Sequence, residues 1–424
     1  MKFQLSDFGR HIASGSGIEQ LMDDLGHALA SGGGEMRMLG GGNPANIPQM
    51  AEVWRTTMQR LLSDDPHRFD RMLVNYDPCR GNPEFIDSVA EAFNRAYGWN
   101  LTSENIVVTN GGQTAFFYLI NLLAGASSGK RKKILLPLVP EYIGYANQGI
   151  GPDTFVAVRP EIELLPDRYF KYRVDFDRLP LDEDIAAICV SRPTNPTGNV
   201  LLDEEVERLQ MLAKERGIPL IVDNAYGAPF PNIVFRDIQP IWDENVILTY
   251  SLSKLGLPGT RTGIVIGPPE ITSAISSINA VAGLANGNVG QVLVSDLLKS
   301  GELVKLSRDT ILPFYQTKSE MAQQLLAKHL PEGRYRVHVS EGALFLWLWL
   351  EMSISSRELY ERLKARDVLI VPGEYFFYGL DDSDEDWDHR HACIRMTFSM
   401  PNEVVEAGIQ VLAEELHNTP AAGR

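Results

Sequence analysis

The sequence predicts an α/β protein: a mostly parallel sheet flanked by helices, with a second, smaller α/β domain behind it. Three observations predict this. Between about residues 100 and 270, short apolar runs alternate with helical patterns, the signature of a sheet sandwiched by helices. Hydrophobic residues make up 44% of the 424-residue chain, enough for a large buried core. From about residue 334 the pattern changes, and Gly342–Leu350, rich in Leu and Trp, reads as a strand covered on both faces. The expected organisation is an N-terminal arm over 1–48, a large domain over 49–305 and a small domain over 306–424.

Taken in order, residues 18–29 have helical spacing and lead through glycines to Gly42-Asn43-Pro44. Residues 49–64 and 83–97 read as amphipathic helices, separated by the turn Asn75-Tyr76-Asp77-Pro78. A strand over 105–109 runs into Gly111-Gly112-Gln113 and an apolar helix over 115–124. Strand, glycine turn and helix start aim free N–H groups at one spot, a candidate phosphate cradle, although glycine turns start many such helices. Gly125–Lys130 is not a P-loop: Ala124 replaces its first glycine, and Arg131 its Ser or Thr.

A strand over 133–138 leads to Glu141-Tyr142-Ile143-Gly144-Tyr145, another strand covers 154–158, and 160–180 read as polar and irregular. A strand over 186–191 ends in Arg192-Pro193-Thr194-Asn195-Pro196, where two prolines force an extended path around an amide. After a helix over 203–216, a strand over 218–222 ends in Asp223-Asn224-Ala225-Tyr226. Asp223 suits either a ligand at the sheet edge or a helix N-cap. Strand 246–248 leads to Lys254, and strand 263–266 follows.

Residues 271–330 read as helical, broken at 283–290. The small domain adds helix 355–366, strand 368–371, strand 393–398 and helix 402–417. The acidic stretch 381–388 reads as a solvated loop, and the tail 418–424 as disordered. His389 and His391 are weak metal candidates, and no metal is expected.

The formal charge of −16 disfavours nucleic acid and anionic membranes as partners. No apolar run reaches the ~20 residues of a membrane span. The start lacks a signal-peptide core, and Cys79, Cys189 and Cys393 read as free thiols, so a cytoplasmic setting is expected.

The chemistry centres on Lys254. It lies between two apolar strands, so burial should disfavour its charged form and leave the amine nucleophilic. Ser251 and Ser253 flank it, and Arg261 follows across a Pro-Gly turn; hydroxyls and a guanidinium suit a phosphate ester. A reactive amine beside a phosphate cradle is what pyridoxal phosphate requires. Gly112/Gln113, Tyr142, Asn195, Asp223 and Lys254 all follow strand ends, which packing alone does not explain. Arg395, inside an apolar strand, needs an anionic partner: a protein carboxylate, or a substrate carboxylate held bidentately.

Together the motifs Ser-Leu-Ser-Lys-Leu-Gly-Leu-Pro-Gly-Thr-Arg, Asp-Asn-Ala-Tyr and Arg-Pro-Thr-Asn-Pro-Thr-Gly resemble the fold-type I, aspartate-aminotransferase-like pyridoxal-phosphate enzymes over nearly the whole chain. The resemblance implies a transaminase working by a ping-pong route on amino acids and 2-oxo acids. Lys254 would hold the cofactor covalently and shuttle the proton. Asp223 would face the ring nitrogen, Asn195 and Tyr226 the ring oxygen, and Tyr142 the ring face. Gly112, Gln113, Ser251, Ser253 and Arg261 would hold the phosphate. Tyr76 would reach the phosphate of a second subunit, implying a homodimer. Arg395 would take the α-carboxylate, with Gly42 beside it. Arg261 stands one residue closer to Lys254 than in many members, so the turn must be tighter. No arginine occurs between Arg261 and Arg308, which favours an uncharged side chain such as that of valine, alanine or 2-aminobutyrate. A carbon–sulfur lyase on the same fold stays open as an alternative. A transcription regulator is disfavoured by the lack of a basic DNA-binding segment.

Overall fold

The computed structural model describes residues 3–13, 26, 36–127, 129–381, 384 and 387–420. The helix expected at 18–29 lies, apart from Gly26, outside the described residues.

Among the described residues the strands run β1 Arg37–Met38, β2 Ile106–Thr109, β3 Gly125–Ser127, β4 Lys130–Leu136, β5 Phe155–Ala157, β6 Glu161–Leu164, β7 Tyr169–Arg173 and β8 Ile185–Ser191. They continue with β9 Leu220–Asp223, β10 Val246–Ser251, β11 Gly263–Ile266, β12 Tyr335–His338, β13 Phe345–Leu350, β14 Val368–Leu369, β15 Val371–Pro372 and β16 Cys393–Thr397. The larger sheet has the order β2-β11-β10-β9-β8-β4-β3, with β5 pairing on β4. Strands β4, β8, β9 and β10 are mutually parallel, and β11 runs antiparallel between β10 and β2. The C-terminal ends of β2, β4, β8, β9 and β10 therefore share one edge. Apolar runs such as Ile106-Val107-Val108 are buried throughout because helices cover both faces, although β4 begins with exposed Lys130 and Arg131.

Local signals explain the covering helices. In Pro83–Tyr97, Asn82 Oδ1 accepts from Phe85 N–H at 3.1 Å, Pro83 opens the helix, and Gly98 closes it at φ +71°. Its apolar face, Phe85, Ile86, Val89 and Phe93, is buried, and the helix packs against Val289–Ser300.

The second sheet has the order β15-β16-β13-β12-β7-β6. Here the sequence reading needs correction, for the irregular stretch 160–180 contains β6 and β7. Tyr169-Phe170-Lys171-Tyr172 pairs parallel with β12, far along the chain, and three of the four are buried. Lys171, inside that stretch, is buried in an ion pair with Glu341, which Arg236 also reaches at 2.6 Å. The start of the 342–350 run is likewise no strand: Gly342 bridges Val234, Ala343 takes φ +61°, and β13 begins at Phe345. Two surface expectations also shift. Asp384 is buried against Arg159, and Thr419 is buried, its carbonyl accepting from Arg334 at 3.0 Å. His389 is buried with Tyr172, whose hydroxyl lies 2.5 Å from its Nε2. No helix among the described residues is long and apolar enough to cross a membrane.

Candidate active site

A cavity of about 520 Å³ opens at the shared strand edge. Every residue singled out from the sequence lines it except Tyr76, which is 82% exposed and lies elsewhere.

Lys254 follows β10 in the 3₁₀ turn Leu252–Leu255, pinned by buried Leu252 and Leu255 and closed by Gly256 at φ +90°. Its Nζ donates to Gly42 O at 2.6 Å and stands 5.3 Å from the Tyr226 ring centre. Burial and then the Arg395 guanidinium push the amine down to about 8; Asp223 opposes this and Arg261 adds to it. Asp223 ends β9. Its Oδ1 accepts from Ala225 N–H at 2.9 Å and Thr249 Oγ1 at 3.2 Å, while Oδ2 accepts from Tyr145 Oη. Burial lifts Asp223 above its ordinary range, and these donors, with the nearby Lys254 cation, offset part of that rise.

The end of the cavity at Gly112 is built by backbone as much as by side chains. The helix Gly112–Leu123 has no side-chain cap, so its first N–H groups are open to an anion. Gly111, at φ +91°, lets Arg261 lie against it; a Cβ there would overlap the guanidinium. Among the described residues Arg261 has no hydrogen-bond acceptor for its side chain. The turn into it is the 3₁₀ turn Pro258–Thr260, with Arg261 itself at φ +47°, the tight path its spacing requires. Ser251 Oγ donates to Ser253 Oγ at 2.9 Å beside it.

On the opposite wall, Arg395 comes from β16 between Trp347 and Val371. Its Nη1 donates to Asn195 Oδ1 and its Nη2 to Gly40 O, each at 2.7 Å, and it stacks 4.1 Å over the Phe345 ring. Among the described residues no carboxylate pairs with it, and its buried Nε has no partner. The N-terminal glycine that touches Arg395 is thus Gly40, while Gly42 holds Lys254. Tyr142 lies over Gly144, where a Cβ would collide with its ring, and reaches Gln113 Oε1 at 3.4 Å.

Sequence reasoning missed Tyr145, Thr249, Ser191 and Glu141. Ser191, Asp223 and Thr249 are side by side across β8, β9 and β10. Only their positions at strand ends hinted at this.

These residues fit pyridoxal phosphate. A free guanidinium over a bare glycine at a helix start matches its phosphate. A half-buried carboxylate short of a full cation partner matches its pyridinium, and a neutral-leaning lysine amine matches its aldehyde. Such a fold and site define an aminotransferase of the pyridoxal-phosphate type. The chain belongs to the class I and II aminotransferases, whose family model matches residues 39–412. It is 46% identical to the valine–pyruvate aminotransferase of Escherichia coli K12 over 98% of both chains. A crystal structure of valine–pyruvate aminotransferase from Salmonella typhimurium LT2 superposes with a TM-score of 0.87 at 45% identity, covering 95% of this chain and 99% of that one. A Thermus thermophilus aspartate aminotransferase variant, 20% identical, shares the fold with a TM-score of 0.76 over 97% of this chain and all of that one.

Proposed function

We propose that the enzyme moves the amino group of valine, or a similar small aliphatic amino acid, to pyruvate, giving 3-methyl-2-oxobutanoate and alanine. The observation that carries this reading is the charge inventory of the cavity. Among its described lining residues the cations are Lys254, Arg261 and Arg395. Each already has a task, so none is left for a side-chain carboxylate. An adjoining apolar recess shares Asn43, Pro44 and Pro258 and runs to Ile47, Met50 and Trp54, a surface for an aliphatic side chain. The likeness to valine–pyruvate aminotransferases agrees.

Bound pyridoxal phosphate supplies an electron sink for the bonds of the amino acid α-carbon. Gly112, Gln113, Ser251, Ser253 and Arg261 hold its phosphate, Tyr142 its ring face, and Asn195 and Tyr226 its ring oxygen. Asp223 keeps the ring nitrogen protonated. Arg395 would fix the substrate carboxylate and so orient the Cα–H bond toward Lys254, whose Nζ would take that proton and pass it to the cofactor side of the C–N bond.

A panel of amino donors with pyruvate, read as alanine formed, tests the substrate. Valine should rank among the best donors and aspartate should be at least about 100-fold slower, since its second carboxylate enters without a partner. Aspartate as preferred donor, or steady ammonia release from one amino acid alone, overturns the reading.

The same reading makes the enzyme a homodimer. Tyr76, Val74 and Val281 (90% exposed) are large apolar side chains left at the surface, and Cys79 Sγ donates to Leu284 O at 3.1 Å, which brings the segment after Tyr76 to the one after Val281. Sedimentation should give twice the chain mass, and a monomer at micromolar concentration would refute the pairing.

Gly111→Ala tests the phosphate seat. The new methyl group displaces Arg261 and strains a left-handed backbone. Cofactor titration of apoprotein should show binding weakened by about tenfold or more.

A further inference from the structure

Glu141 is a buried carboxyl with no part in the roles above. Its Oε1 accepts from Tyr142 N–H at 2.7 Å and lies 2.5 Å from Ser191 Oγ; its Oε2 accepts from Ser191 N–H at 2.9 Å. Ser191 Oγ is in turn 3.5 Å from Tyr145 Oη, which donates to Asp223 Oδ2. The buried carboxyl of Glu141 and the half-buried one of Asp223 are thus joined by two hydroxyls, through three gaps.

The proton count across those gaps matters. The two hydroxyls carry one proton each. With Glu141 ionised, Ser191 donates to it, Tyr145 donates to Asp223, and the middle gap holds none. That middle gap is the long one. A proton on Glu141 turns the Ser191 hydroxyl toward Tyr145, so that every gap is filled and every donor points toward Asp223. A fully donated chain is stronger than its separate bonds, and it removes a second negative charge from the neighbourhood of Asp223.

The surroundings allow this proton. Glu141 is faced by Asp223 on β9, Cys189 on β8, Tyr142 and Tyr145 in its own turn, and Tyr378. Burial first, with the Asp223 charge adding to it, pushes Glu141 up to about 8 against its three donors.

We propose that Glu141 is a positioning residue for Asp223: through the Ser191 and Tyr145 hydroxyls it orders the donors on that carboxylate and so sets how firmly Asp223 keeps the cofactor ring nitrogen protonated. This rests on the reading that Asp223 faces that nitrogen.

The test uses holoenzyme loaded with cofactor ¹⁵N-labelled at the ring nitrogen, whose resonance reports protonation directly. Ser191→Ala deletes the linking hydroxyl and leaves both backbone donors to Glu141 in place. Glu141→Gln removes the titrating proton; its Nε2, set in place of Oε1, donates toward Ser191 Oγ and gives up the acceptor of Tyr142 N–H, while its remaining oxygen still accepts from Ser191 N–H. In wild type the resonance should move toward the unprotonated position as pH rises through about 8. Ser191→Ala should hold the moved position across the range, because the link to Asp223 is broken whatever proton Glu141 carries, with kcat down about tenfold, the worth of one buried hydrogen bond, and KM within about twofold. Glu141→Gln should hold the protonated position across the range. A Ser191→Ala resonance matching wild type at every pH, or a wild-type pH response in Glu141→Gln, overturns the proposal. Asp223→Asn separates the two readings. If it shifts the resonance while Ser191→Ala does not, only the role of Glu141 fails; if it shifts nothing, the Asp223 reading fails and this one with it.

Discussion

Lys254→Ala should lower kcat by about 10⁴-fold or more, because one substitution removes both the covalent anchor and the proton carrier. The protein should still fold. Lys254 is a partly buried amine near two other cations, Arg395 and Arg261, so its loss relieves repulsion and leaves only a small gap beside Tyr226. The assay is alanine formed from valine and pyruvate, followed beyond one turnover. Borohydride treatment of the holoenzyme should fix the cofactor to wild type and leave the variant unlabelled. The same amine sets a pH signature. Its proton is held less tightly than that of an ordinary lysine, so the reactive neutral form grows as pH rises, with a midpoint at about 8. Covalent capture of pyridoxal phosphate by wild-type apoprotein should therefore speed up across that midpoint and then level off. Capture that is flat there, or full turnover by Lys254→Ala, would contradict the assignment.

How much of this was legible in the sequence depends on distance along the chain. Asp223, Asn195 and Lys254 could be read directly, because each follows an apolar run whose end must lie at the sheet edge. Helix Pro83–Tyr97 was legible to its ends because Asn82, Pro83 and Gly98 are strong local signals. What depends on pairing between remote segments was hidden. β7 has a local partner in β6, but it joins the second sheet only through β12, more than a hundred residues later. Tyr145 and Ser191 belong to the site only because β8 lies beside β9 in a register that no local pattern encodes. The same holds for Thr419 and Asp384, whose polar groups look solvated until Arg334 and Arg159 are brought to them. Periodicity reports which face is buried, not what it is buried against.

Arg395→Gln should cost about 10²- to 10³-fold in kcat/KM for the amino acid and for the 2-oxo acid alike, since both present the same carboxylate to the same fork. The guanidinium is already held by Asn195, Gly40 and the Phe345 ring, with Nε unpartnered, so its position is fixed before substrate arrives. Arg395→Lys keeps the charge but loses the two-pronged geometry, and should recover only part of the loss. Removing this cation has a second effect of definite sign. Arg395 is among the causes that lower Lys254, so in Arg395→Gln the amine should regain proton affinity and the midpoint of cofactor capture should move to higher pH. Cofactor affinity itself should change little, because the phosphate seat proposed at Gly112 and Arg261 is a separate part of the cavity lining. The combination discriminates. Damage from misfolding would weaken cofactor binding and leave no ordered shift of the midpoint. A carboxylate site coupled to the catalytic amine predicts matched losses for both substrates, intact cofactor binding and a midpoint displaced upward.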